Sequence, residues 1–208
     1  MIIISHRGYW HDAVEKNTEI AFCRSFEMNF GTETDVRDCT GQLVISHDMP
    51  CGTEMTLRSF LSLMNKEELL LAINIKADGL AETLRNEMED YCRSSWFTFD
   101  MSIPDMRAHL EVGNPVFARM SEVEGEPAWF DRIEGIWLDS FEEDWISQEL
   151  IQSFTRKDKR VCVLSPEIHG RAHEPMWNTL LPLSKDDRLI LCTDVPEQAR
   201  EFFTEGIE

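Results

Sequence analysis

The chain has 208 residues, of which 42% are hydrophobic and 28% charged, and a formal net charge of −19. This length suits one domain, taken as residues 1–208, and the charge repels nucleic acid phosphates and anionic lipid head groups. No apolar run approaches the roughly 18 residues of a membrane span, so neither nucleic acid nor a membrane is an expected partner.

The apolar start MIIIS is too short for a secretory signal and lacks a basic flank, so a cytoplasmic location is expected. Cys23, Cys39, Cys51, Cys92, Cys162 and Cys192 form no C-x-x-C pair and read as buried reduced thiols.

In chain order, short β-like runs alternate with longer amphipathic stretches. MIIISH (1–6) leads to the helix NTEIAFCRSFEMN (17–29), with Thr18 as its cap and Gly31 beyond its end. TETDVRD (32–38) and GQLVISHD (41–48) are extended pieces on either side of a turn at Thr40-Gly41. The helix TLRSFLSLMNK (56–66) precedes the strand LLLAINIK (69–76), and GLAETLRNEMEDYC (79–92) precedes SWFTFDM (95–101). Next come SIPDMRAHLEV (102–112), the strand PVFARMSEV (115–123), a short helix PAWFDRI (127–133) and the strand GIWLDSF (135–141). SQELIQSFTRKDK (147–159) leads to RVCVLSPEI (160–168), EPMWNTLLPLS (174–184) to RLILCTD (188–194), and VPEQAREFFTEG (195–206) closes the chain.

Eight main strands joined by helices predict a compact (β/α)8 TIM barrel, with an open doubly wound sheet as the alternative. The barrel is favoured by its polar residues. His6-Arg7, Glu33/Asp35, Asn74/Lys76, Asp100, Arg119, Asp139, Glu167 and Asp194 all fall at or near strand C-terminal ends, which converge on one mouth in a barrel.

Glu33 and Asp35 are two apart, so on a strand they share a face and can hold one cation between them; an exposed edge-strand pair is the other reading. Asn74 and Lys76 repeat that spacing at the end of an apolar run, where a buried lysine needs an anion unless it snorkels to the rim. His6 and His47 each end an apolar run, a placement that suits a general acid and a general base near neutral pH.

The succession SHRG, EKNTEIAF, GTETDVRDCTGQLVISHD, LAINIK and CTDVPEQA resembles the glycerophosphodiester phosphodiesterase family, a metal-dependent (β/α)8 barrel related to phosphatidylinositol-specific phospholipase C. The likeness is dense over residues 3–50, supported at 71–76 and 193–199, and faint between. It implies His6 and His47 as the acid/base pair, Arg7 and Lys76 as phosphate contacts, and Glu33, Asp35 and Asn74 as ligands of one divalent cation, Mg²⁺ or Ca²⁺.

Two positions depart from the family pattern. Lys16 stands where the family has Glu, and Glu15, one place earlier, is the substitute. Asn74 stands where a third carboxylate is expected, which removes one negative charge and weakens metal binding. Gly8 is read as letting the backbone turn closely beside the phosphate.

In the C-terminal half, Arg119 with Glu122, Trp137 with Asp139, and Glu167 with His169 and Arg171 are supporting candidates near strand ends. A rim ion pair between Glu167 and Arg171 is the alternative for that pair. His11, His109 and His173 read as loop or helix-surface residues. The expected function is hydrolysis of a small glycerophosphodiester, or a similar alcohol or sugar phosphodiester, to an alcohol and a phosphomonoester. The alternatives are a barrel that binds a phosphorylated ligand without turnover and a purely structural or partner-binding barrel.

Overall fold

The computed structural model describes residues 1–64, 69–92 and 94–206. They form two compact units, one of residues 1–5 and 117–206 and the other of the described residues between 6 and 116.

In the second unit, β2 (Gly31–Cys39) lies parallel to β4 (Leu71–Ile75), which lies parallel to β5 (Trp96–Phe99). β4 is buried along its whole length, which is why LAINI reads as a near-continuous apolar run, broken only by Asn74, rather than an alternating one. β3 (Gln42–Ile45) returns antiparallel on β2. The turn between them sets both Thr40 (φ 49°) and Gly41 (φ 84°) in the left-handed region, the conformation that matches strand twist in a tight hairpin. Around these strands pack α1 (Glu19–Glu27), α2 (Leu57–Ser62), α3 (Ala81–Tyr91) and α4 (Ile103–Glu111). Phe22 of α1 meets Phe60 of α2 edge to face at 4.5 Å.

In the first unit, Ile2–Ser5 of β1 (Ile2–His6) pair parallel with β9 (Leu189–Thr193), and the order continues through β8 (Arg160–Leu164) and β7 (Gly135–Leu138) to β6 (Phe117–Met120). The connecting helices are α5 (Gln148–Thr155), α6 (Glu174–Leu180) and α7 (Pro196–Glu205). Ile136, Leu138, Val161, Val163, Ile190 and Leu191 are buried here. Five parallel strands in this unit and three in the other make the eight expected from the sequence.

Three expectations are corrected. Residues 127–133 are not a helix but a pair of turns, because Trp129 is left-handed (φ 56°) and its carbonyl takes both Arg132 N and Ile133 N. His109 is not on a helix surface: it is fully buried on α4. Cys51 is exposed and Cys23, Cys39 and Cys92 are half-buried rather than buried, while Cys162 and Cys192 are in the core as expected, and no disulfide links the six. Residues 65 and 66 of the helix expected over 56–66 lie outside the described residues, and among those described α2 ends at Ser62.

Candidate active site

The site in residues 6–116 is built where β1 ends. Arg7 takes a left-handed conformation (φ 58°) and Gly8 another (φ 81°), so the chain reverses sharply after His6. Arg7 N donates to both the carbonyl and the carboxyl Oε2 of Glu33, at 3.1 and 3.2 Å, and Gly8 N donates to Thr32 Oγ1 at 2.9 Å. A Cβ on Gly8 would stand 2.7 Å from Ala21 Cβ and 2.8 Å from Ala21 C. The glycine is therefore required by the close approach of α1.

Glu33, Asp35 and Asn74 share one sheet face: the first two are two residues apart on β2, and Asp35 is the register partner of Asn74 on β4. Lys76 follows two residues later. Asp35, fully buried, is the centre of the group. Arg7 Nε lies 2.9 Å from its Oδ2 and Lys76 Nζ 3.3 Å from its Oδ1, both as ion pairs. Asn17 Nδ2 donates to Oδ2 at 2.8 Å, while Asn17 Oδ1 accepts from Thr34 Oγ1 at 2.9 Å. Asn17 is itself left-handed (φ 60°), and its N–H donates to Arg7 O.

No role was read for Asn17 from the sequence. Its signals are its place in the EKNT run and that asparagine tolerates the left-handed region better than most residues.

Arg7 Nε and Asp35 Oδ1 are met by ion pairs alone, and Asn74 Oδ1 is a buried polar atom without a hydrogen-bond partner, which is rare in a finished core and common where a ligand completes the site. Asn74 is otherwise held by its Nδ2, which donates to Asp100 Oδ2 at 3.2 Å.

Glu33 is 1% exposed, and its carboxyl is pushed well above the usual range, first by burial and then by the Asp35 charge, against the pull of Arg7 and Lys76. A carboxyl raised on folding holds its proton more tightly in the native state, so its contribution favours folding below about pH 4.5 and is lost as pH rises through the raised value. Glu33→Gln removes that loss. Thermal unfolding across pH is expected to show the variant more stable than wild type at neutral pH, with the gap closing below about pH 4.5. An equal gap at all pH would contradict the assignment.

His6 Nε2 stands 3.9 Å from Glu33 Oε2, with the ring 10% exposed. His47, just beyond β3, has its ring 45% exposed and its Nδ1 2.8 Å from Asp48 Oδ1, which leaves Nε2 as the other nitrogen. Arg7, Lys16, Asn17, His47 and Asp48 line a cleft of about 450 Å³. Arg7 thus belongs both to the Asp35 group and to the wall that His47 borders. Lys16 Nζ lies 4.3 Å from the Trp10 ring. Glu15 is engaged elsewhere: its Oε2 takes Arg24 Nη1 and His11 N, both at 2.9 Å, which hold its carboxyl down at about 2.

The supporting candidates of residues 117–208 have their own partners. Arg119 grips Glu124 with two bonds. Asp139 Oδ1 accepts from Ser140 N and faces His169 Nε2 at 2.8 Å. Glu167 accepts from Thr193 Oγ1 and Asp194 N, and Arg171 donates to Asp144 and Ser140, so the two turn to different partners.

No family model and no curated protein matches the sequence. Among solved structures, a glycerophosphodiester phosphodiesterase from Agrobacterium tumefaciens matches with a TM-score of 0.67, over 100% of this chain and 99% of that one, at 14% identity. The chain has the fold of a glycerophosphodiester phosphodiesterase. A glycerophosphoryl diester phosphodiesterase from Parabacteroides distasonis matches with a TM-score of 0.50, over 98% of this chain and 86% of that one, also at 14% identity. The glycerophosphodiester phosphodiesterase fold is a (β/α)8 barrel, as the order of elements predicted, and the open doubly wound sheet is set aside. Fold alone leaves the chemistry to be argued from the residues.

Proposed function

We propose that the chain is a phosphodiesterase that hydrolyses a small glycerophosphodiester, or a similar alcohol or sugar phosphodiester, to an alcohol and a phosphomonoester in the cytoplasm. One observation carries this reading. Arg7, whose guanidinium is paired with buried Asp35 beside Lys76, also lines the cleft bordered by His47. An anion entering there meets the planar fork of Arg7, and Lys76, which shares Asp35 with Arg7, is the point charge that this reading adds to it, the combination suited to a phosphate.

His6 and His47 are the acid/base pair of this reading. One takes the proton of the attacking neighbouring hydroxyl of the substrate and the other gives a proton to the leaving alkoxide, which releases the alcohol and a cyclic phosphate that water then opens to the phosphomonoester, while Asp48 holds the His47 ring through Nδ1. Asn17 keeps Asp35 turned toward Arg7 and Lys76, and Glu33 orients Arg7 through its N–H.

The donor set fits a hard divalent cation, weakly. Asn74 Oδ1 lacks a hydrogen bond, its register partner Asp35 offers Oδ1, which the Lys76 ammonium meets at 3.3 Å, and Glu33 lies on the same face. Among the described residues no group of three or more His, Cys, Asp and Glu is placed to hold a metal, so the set rests on two carboxylates and the Asn74 amide oxygen. Glu33, Asp35 and Asn74 would hold Mg²⁺ or Ca²⁺, which when bound polarises the phosphoryl oxygens. Asn74→Glu is therefore expected to tighten Mg²⁺ or Ca²⁺ binding about tenfold or more in a calorimetric titration. Unchanged affinity would remove position 74 from the ligand set.

Lys16 and Asn74 favour a second reading, in which the site binds a phosphorylated ligand without turnover. Hydrolysis of glycerophosphodiesters with Mg²⁺, Mn²⁺, Ca²⁺ or EDTA separates the two: product formation supports the enzyme, and binding without product supports the second reading.

A further inference from the structure

Residues 102–114 carry a buried polar network that the acid/base and phosphate roles leave unused. Asp105 is 9% exposed and His109 fully buried, although both sit on α4 among apolar neighbours. Buried polar groups of this kind are retained when each has something to hold. Here the held object is one loop.

Asp105 Oδ1 accepts from Gly79 N at 2.9 Å, where Gly79 is left-handed (φ 87°). Ser102 Oγ donates to Asp78 Oδ2 at 3.1 Å and caps α4 by accepting from Asp105 N. Asn114 Nδ2 donates to Ala81 O and toward His109 Nδ1, both at 3.0 Å. With Nδ1 accepting, the His109 proton sits on Nε2, which faces Asp105 Oδ2 at 3.4 Å as an electrostatic contact without a hydrogen bond, on the side of the carboxylate away from Gly79 N. Residues 78, 79 and 81 are thus tied down from one side, directly after Lys76, and α3 has no side-chain cap of its own at Leu80.

We propose that Asp105, faced by His109, is a positioning residue for Lys76: by fixing the Gly79 turn it sets where the Lys76 ammonium stands beside Asp35. The inference rests on the phosphate role proposed for Lys76. It is tested by titrating inorganic phosphate, in Mg²⁺ buffer, into the wild type, Lys76→Met, Asp105→Ala, Asp105→Asn and the Lys76→Met/Asp105→Ala double variant. Lys76→Met is expected to weaken phosphate binding about tenfold or more, and Asp105→Ala about fivefold. Asp105→Asn, whose amide oxygen can still accept from Gly79 N, is expected to stay within about twofold of wild type.

In the Lys76→Met background, Asp105→Ala is expected to cost no more than about 1.5-fold further, since its effect runs through the missing ammonium. Additive losses, or an Asp105→Ala variant that is less stable but binds phosphate normally, would overturn the proposal. If Lys76→Met binds phosphate as wild type does, the phosphate reading of the site fails as well. Should Asp105→Ala not fold, exposed Ser102→Ala carries the same cycle through the Asp78 tie. About a threefold loss that vanishes with Lys76→Met is then expected, and no loss would overturn the proposal.

Discussion

Replacing His47 by alanine is expected to lower kcat/KM for a glycerophosphodiester by about 10²- to 10⁴-fold, the usual range for one general acid or base. Stability should hardly change, because the ring is 45% exposed and its Nδ1 bonds Asp48, itself a solvent-facing side chain. Surface changes of that kind usually stay within about 0.5 kcal/mol. His6→Ala should lose activity to a similar degree but also lower Tm, since His6 is buried beside Glu33. The contrast is diagnostic. Steady-state kinetics together with thermal unfolding of the two variants measures it, and a His47→Ala enzyme of normal activity would remove that residue from the chemistry.

The largest expected effect on stability belongs to Gly8→Ala. Two costs coincide there: a left-handed backbone of φ 81°, which costs a residue with a side chain about 1–2 kcal/mol, and a methyl placed 2.7 Å from Ala21 Cβ. Overpacking of that kind costs about 1–3 kcal/mol more. The clash is with backbone as well as side chain, at 2.8 Å from Ala21 C, so a rotamer change cannot relieve it. Denaturant unfolding is expected to show a loss of about 2–5 kcal/mol. A loss below about 1 kcal/mol would mean that α1 can move away from the turn.

Gly8 also shows what was legible in the sequence and what was not. The turn after His6 could be anticipated from an apolar run ending in His-Arg-Gly, but its contact with α1 depends on which helix packs there, and no local pattern encodes that. The strands were legible because buried parallel strands are short apolar runs, as in LAINI. The pairing of Glu33 with Asp35 on one face followed from strand period, and the approach of Asn74 followed once β2 and β4 were neighbours.

Other features escaped because tertiary contacts override local pattern. PAWFDRI has helical composition, yet Trp129 goes left-handed and the segment turns instead. IPDMRAHLE looks polar enough for His109 to face solvent, but the loop at Asp78–Ala81 covers that side through Asp105 and Asn114. Glu15 was the natural substitute for the missing motif carboxylate, and the structure joins it to Arg24, nine residues on, across the bend into α1. Asn17 gained its role only when its side chain reached Asp35 on a different element.

The measurement that bears most directly on the central claim is release of the free alcohol and the phosphomonoester from a glycerophosphodiester by the wild-type chain, in Mg²⁺ and in EDTA. The account predicts turnover in Mg²⁺ that falls in EDTA and is abolished in the His6→Ala/His47→Ala double variant. Absence of product with every divalent metal, in folded protein that still binds inorganic phosphate, would contradict it and leave a phosphate-binding barrel.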